Sequence, residues 1–201
     1  MVYLLDDEPE MRKALTRLLR AQGLAVRSFA SARELLAEPP PRGPACLVLD
    51  VAMPEMDGLQ VQERLRERGV DLPIVFLSGR GNIPMSVRAL KAGAEDFLTK
   101  PVDGADLLRA IRAALQRGAD RRTRSDDLAA MRERLALLTP REREVLGHVI
   151  AGKLNKQIAA ALGTGEQNIK VHRGRLMRKL GLKSVADLVR AAERLGLPPE
   201  G

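Results

Sequence analysis

Tryptophan is missing from this chain of 201 residues, and the other aromatics amount to one Tyr and three Phe. Its cores must therefore be built from Leu, Val, Ile, Met and Ala. A single cysteine cannot close an internal disulfide, and Cys46, set in an apolar run, reads as an inert core thiol in a reducing compartment. No apolar run approaches the roughly 18 residues of a spanning helix, and no charged-then-apolar leader precedes the first strand. A cytoplasmic protein without a membrane partner is expected. Neither His148 nor His172 has Cys or carboxylate neighbours at metal spacing, which argues against a zinc site. A GxxxxGK(S/T) loop is also absent, so a directly bound nucleoside triphosphate is not the expected phosphoryl donor.

What is present divides unevenly. The length lies between one and two typical domains, and 45% hydrophobic residues suffices for real cores. The net charge of +8 is split between residues 1 to 117, with 17 Lys+Arg against 16 Asp+Glu, and residues 118 to 201, with 17 against 10. A nearly neutral first part suits a small anion with a metal, or protein contacts. A basic second part suits nucleic acid, although a solvated basic face would look the same on charge alone.

The first part alternates strands with helices. Met1 to Leu5 reads as a strand running into Asp6, Asp7 and Glu8, and Pro9 starts a helix with Met11, Ala14, Leu15, Leu18 and Leu19 on one face. Ala25 to Phe29 reads as a strand, Ser31 with Glu34 as a capping box, and residues 39 to 44 as a loop. Leu47 to Leu49 form a short buried run ending in Asp50, with turn residues Met53, Pro54, Asp57 and Gly58 behind it. A helix over 58 to 68 follows, then a strand over 74 to 77 stopping at Ser78. A helix over 83 to 92, a strand over 95 to 98 running into Lys100 and Pro101, and a helix over 103 to 117 complete this part. Five strands alternating with five helices predict a doubly wound parallel sheet. Right-handed crossovers put all five strand ends on one edge.

That edge gathers Asp6, Asp7, Asp50, Ser78 and Lys100. By itself Asp50 could be a strand-terminating residue that caps the next helix. Clustered carboxylates repel one another and call for a divalent cation, and hard oxygen ligands with room for water favour Mg²⁺. A carboxylate beside Mg²⁺ and an ammonium can attack a phosphoryl group and become an acyl phosphate. Lys100 and the metal would neutralise the equatorial oxygens while Ser78 donates a hydrogen bond.

Residues 1 to 117 resemble the receiver domain of two-component response regulators, a flavodoxin-like (CheY-like) fold. The matching segments are LLDDEP at 4 to 9, LDVAMPEMDG at 49 to 58, FLSG at 76 to 79 and ALKAGAEDFLTKP at 89 to 101. The resemblance implies that Asp50 is the phosphoacceptor, Asp7 a direct Mg²⁺ ligand, Asp6 a ligand largely through water, and the backbone carbonyl of Ala52 a further ligand. It also implies that Lys100 contacts the phosphoryl group with Lys100–Pro101 cis, and that Ser78 and Phe97 are the switch hydroxyl and switch aromatic. Ser78 replaces the commoner Thr, and Ala52 stands where many relatives have Arg.

Between Gln116 and Asp127 the only apolar residue is Ala119, so this stretch reads as a hinge-like linker. Leu128, Met131, Leu135 and Leu138 then form a narrow seam, too short to establish a coiled coil. The expected linker is 118 to 138, part helical. Thr139-Pro140-Arg141-Glu142 combines a capping box with Pro at the first helical position. A helix ending at Gly152, a second over 155 to 162, a Gly163-Thr164-Gly165 turn and a basic helix to Leu180 make a helix-turn-helix arrangement. Such pieces also bind proteins.

Residues 138 to 184 resemble the LuxR-type output domain of FixJ/NarL-like transcription factors, through LTPREREVLGHVIAGKLNKQIAAALG and NIKVHRGRLMRKLGLKS. By that resemblance Lys170, Val171 and Gly174 face the groove, and Asn155, Lys156 and His172 meet phosphates. Asn168 near the helix start, and the basic side chains Arg175, Arg178 and Lys179, complete the expected DNA-binding set. Gly165, Asn168 and Gly174 depart from the usual Ser, Thr and side-chain-bearing positions. A domain over 139 to 197 is expected. The combined reading is a transcriptional response regulator phosphorylated by a sensor histidine kinase, binding double-stranded promoter DNA as a homodimer when phosphorylated. Its chemistry would be limited to Mg²⁺-dependent phosphorylation and dephosphorylation of itself. Two alternatives remain at this point: an enzyme turning over an aspartyl phosphate, and a regulator whose output domain binds protein or RNA.

Overall fold

The computed structural model describes residues 1–79 and 83–198, excluding the side chain of Ile83. It divides into two compact units, Met1–Thr123 and the residues from Arg124 onwards. The first holds a parallel sheet in the order β2-β1-β3-β4-β5, built from β1 (Val2–Leu5), β2 (Val26–Phe29), β3 (Cys46–Asp50), β4 (Ile74–Ser78) and β5 (Asp96–Thr99). Crossovers are α1 (Pro9–Ala21), α2 (Ala32–Ala37), α3 (Gly58–Glu67) and α4 (Ile83–Lys91), and α5 starts at Gly104.

Every residue of β1, β3 and β4 is buried because both faces of the sheet are covered. Alternation along each strand divides the core. Val2, Leu4, Cys46, Val48, Val75 and Leu77 pack with Leu15, Leu19, Leu107 and Ile111 of α1 and α5. Tyr3, Leu5, Leu47, Leu49, Ile74 and Phe76 pack with Leu35, Val61, Leu65 and Ala89 of α2, α3 and α4. Burial pushes the Cys46 thiol up to about 12, so it stays protonated and unreactive.

The exit from β3 is tightly packed. A Cβ at Gly58 would lie 2.6 Å from the Asp50 carbonyl oxygen and 3.0 Å from the Phe76 ring, so only glycine lets α3 begin there. The cap of α3 is Asp57, which forms a capping box with Gln60. Asp50 therefore does not cap this helix, and its carboxylate is left for the sheet edge.

The largest difference from expectation lies in α5, which runs unbroken over Gly104–Ala136 through the stretch read as a hinge-like linker. Arg, Ala and Gln are good helix formers, and Gln116 donates to Asp120 one turn on, 3.1 Å. The seam residues Leu128, Met131 and Leu135 lie on the same helix.

In the second unit, α6 (Pro140–Ile150) carries the expected Thr139–Glu142 capping box, followed by α7 (Asn155–Ala161) and α8 (Glu166–Leu180). A fourth helix, α9 (Val185–Leu195), starts from a Ser184–Asp187 capping box and buries Leu188 and Ala192. Val145, Leu146, Val149, Ile158, Ile169, Leu176, Leu180 and Leu188 form the shared core. Among the described residues no helix is long and apolar enough to cross a membrane.

Candidate functional site

Parallel pairing brings the strand ends together in order: β1 lies beside β3, β3 beside β4, and β4 beside β5. Asp6 and Asp7 leave β1, Asp50 ends β3, Ser78 ends β4, and Lys100 follows β5. Asp6, Asp50 and Ser78 are buried. Carboxylate oxygens of Asp6, Asp7 and Asp50 lie within 4.8 Å of one another. The Lys100 ammonium donates to Asp6 Oδ2 at 2.9 Å and Asp50 Oδ2 at 2.8 Å, with Glu8 Oε1 at 3.8 Å.

Burial opposes the charge on Lys100, but hydrogen bonds and attraction from Asp50 and Asp6 outweigh it and hold the ammonium above its ordinary value. The Lys100 amide also donates to the Ser78 carbonyl at 2.7 Å, tying β5 to β4 at this edge. The Lys100–Pro101 bond is cis. Asp50 Oδ1 accepts from the Ala52 amide at 3.2 Å. Asp7 Oδ1 is buried without a hydrogen-bond partner. A buried carboxylate oxygen left unpaired is costly, and a hard cation is the chemistry that satisfies it. Phe97 on β5 is half-buried, its ring 6.2 Å from that of Phe76.

In the second unit, Ile169, Leu176 and Leu180 turn α8 inward. Helical periodicity then puts Lys170, Val171, Gly174, Arg175 and Arg178 on the solvent side, where all five are exposed. Asn168 is exposed at the helix start and donates to Thr164 Oγ1 at 3.2 Å. Lys156 is exposed on α7. A Cβ at Gly174 would meet nothing within 4 Å, so this glycine is not required by packing inside the domain.

Two other expected contacts are already engaged within the domain, and a third is half-buried. Asn155 accepts from Arg173, joining α7 to α8. Lys179 donates to Glu142 Oε2 at 2.6 Å and to the Leu137 carbonyl at 3.1 Å, joining α8 to α6. His172 is half-buried with its Nδ1 unpartnered.

Residues 2–112 match the response regulator receiver domain family, and residues 136–192 match the luxR family of bacterial regulatory proteins. The chain belongs to the LuxR-type response regulators. It is 46% identical over 195 residues to the response regulator protein TodT of Pseudomonas putida, covering 97% of this chain and 86% of TodT. It is 37% identical over 198 residues to the transcriptional regulatory protein FixJ of Rhizobium meliloti, covering 98% and 97%. The solved structure of the response regulator StyR is similar at a TM-score of 0.81 and 42% identity, covering 96% and 98%. Phosphorylation-dependent regulation of transcription follows from this membership, with a histidine kinase implied by the receiver and DNA binding by the output domain.

In this response regulator the sequence reading missed the groups that brace the site. Arg12 on α1 donates to the carbonyls of Asp6 at 2.8 Å and Asp7 at 3.3 Å, and the Glu8 amide donates to Asp6 Oδ1 at 2.9 Å. Arg12 falls in the first turns of the helix that begins beside the pocket, a position that was readable. Arg141 was not singled out either, yet it reaches the Leu162 carbonyl at 2.7 Å and holds the end of α7 against α6.

Proposed function

We propose that Asp50 is the phosphoacceptor and that its phosphorylation by a sensor histidine kinase controls promoter binding by the basic output domain. The observation that carries this reading is the Lys100 ammonium bridging Asp6 and Asp50 beside the unpartnered Asp7 oxygen, all at one strand edge. An Asp50 carboxylate oxygen attacks phosphorus, the bond to the donor breaks, and an acyl phosphate remains on the chain. The donor set fits Mg²⁺, held by Asp6, Asp7, Asp50 and the Ala52 carbonyl; when bound it supplies neutralisation of phosphoryl charge. Lys100 neutralises an equatorial oxygen and Ser78 donates to another. The chain's chemistry is confined to its own phosphorylation and dephosphorylation.

The receiver comprises residues 1–117 and the output domain 139–197, with 118–138 between them. In this reading Lys170, Val171 and Gly174 face the major groove, while Arg175, Arg178, Lys156, Asn155, His172 and Lys179 lie toward phosphates, with Asn168 near the base edges. Arg173 and Glu142 already engage Asn155 and Lys179 in the free protein. Phosphorylated chains assemble as homodimers, which raises effective concentration on paired half-sites. The protein works in the cytoplasm. Incubation with an acyl phosphate and Mg²⁺ should add one phosphoryl group by intact mass, and Asp50→Asn should add none. Equal uptake by the variant would place the acceptor elsewhere.

A further inference from the structure

The buried face of α5 does not stop where the apolar residues stop. Leu107, Ile111 and Ala114 are buried, and the same spacing of four and three continues through Gly118 and Arg121. Gly118 lies against the end of the sheet opposite the phosphoryl pocket. A Cβ there would meet the Ala45 carbonyl oxygen at 2.9 Å and Pro73 at 3.4 Å, just before β3 and β4 begin. Glycine weakens a helix interior relative to alanine. At this position it permits a close seat of helix on backbone that alanine would block.

Charge completes the seat. Glu95, immediately before β5, has a side chain only 3% exposed, and it pairs with Arg117 and lies 4.0 Å from Arg121. Arg121 also pairs with Asp71 at 2.7 Å. The Asp71 side chain is 70% exposed, so that pair contributes little. Glu95 is different, because a buried carboxylate stripped of its cations is strongly destabilising. The Glu95 amide is fixed as well, donating to the Ile74 carbonyl at 2.7 Å. Beyond it the same short strand carries Phe97 and leads to Lys100. One strand thus has the phosphoryl-pocket lysine at one end and the anchor for the extended helix at the other.

We propose that Gly118 and the Glu95–Arg117–Arg121 cluster form a latch that seats residues 116–124 of α5 on the receiver and makes their stability depend on β5. Resting on the phosphoacceptor reading above, the latch is how a rearrangement around Lys100 reaches the segment leading to the output domain. Residues 116–124 are then a seated helix whose opening is set by the receiver, in place of a passive linker.

Amide hydrogen exchange across 116–124 in the full chain tests this, with and without an acyl phosphate and Mg²⁺, while mass spectrometry follows phosphoryl uptake. Gly118→Ala has opposite signs under the two accounts: helix propensity alone slows exchange, whereas a blocked seat speeds it. The latch predicts exchange at least about fivefold faster, the factor expected for roughly 1 kcal/mol of lost protection. Glu95→Gln keeps the side-chain volume and should also speed exchange there. It should take up phosphate normally but abolish any phosphate-dependent change at 116–124. Slower or unchanged exchange in Gly118→Ala, together with unchanged exchange in Glu95→Gln, overturns the latch. Failure of the parent to take up phosphate would instead refute the phosphoacceptor reading, leaving the exchange comparison of the unphosphorylated variants as the test of the seat.

Discussion

Replacing Lys100 by Met tests how the pocket holds its charges. The Lys100 side chain is 11% exposed, and it bridges the side chains of Asp6 and Asp50, which are 0% and 3% exposed. Methionine keeps most of the packing and removes the ammonium, leaving carboxylate oxygens within 4.8 Å of each other. At an effective dielectric constant of about 20, two unit charges at that separation repel by roughly 3.5 kcal/mol. Removing one partner of a buried pair costs a similar 3–5 kcal/mol, roughly. The receiver transition should therefore fall by on the order of 10 °C without metal. Magnesium should recover part of that loss and should stabilise the variant more than the parent, because the parent's carboxylates already have a cation. The pH dependence has a definite sign. A lysine held above its ordinary value contributes fully below the unfolded value of about 10.4 and loses that contribution as pH rises through the folded value. The gap between parent and variant should stay constant near neutrality and narrow only above about pH 10.4. Calorimetry in EDTA and in Mg²⁺ measures all of this. A variant that melts within a degree or two of the parent in EDTA would show that Lys100 does not hold these carboxylates together.

Asp7→Asn should weaken Mg²⁺ binding by calorimetry and slow phosphoryl uptake together, since its Oδ1 is the buried oxygen without a partner; equal values for parent and variant would remove Asp7 from the ligand set. Lys170→Ala should relax sequence preference at about 1–3 kcal/mol, whereas Arg178→Ala should weaken all DNA and reduce the salt slope by about one; footprints and titrations in several salts distinguish them. Gly174→Ala should stabilise the output domain by up to about 1 kcal/mol, because the Cβ meets open space; if the helix approaches the groove there, DNA affinity falls while the melting temperature rises.

The receiver was legible because its functional residues sit where chain direction changes. Asp6, Asp7, Asp50 and Lys100 each follow an apolar run, and the parallel topology did the rest. Long-range partners were not legible: nothing local at Glu142 or Glu95 announces a partner in a distant element. Only the hinge-like character expected of residues 116 to 127 fails, and for a specific reason. A segment almost without apolar side chains can still pack: Gly118 does so by having no side chain at all, and Arg121 by its charge. On the recognition helix, the exposed face of Lys170, Val171 and Arg178 follows from helical spacing alone. The bond from Lys179, at its margin, to Glu142 does not, because it depends on how α6 crosses α8.

In this reading a phosphoryl group on Asp50 governs DNA binding. This is tested most directly by measuring the affinity of the full chain for its promoter DNA with and without an acyl phosphate in Mg²⁺, beside Asp50→Asn, with oligomeric state followed in the same samples. The phosphorylated parent should bind more tightly and as a dimer, and the variant should not respond. Equal tightening in Asp50→Asn, or a phosphorylated parent that binds no better than the untreated chain, would contradict it.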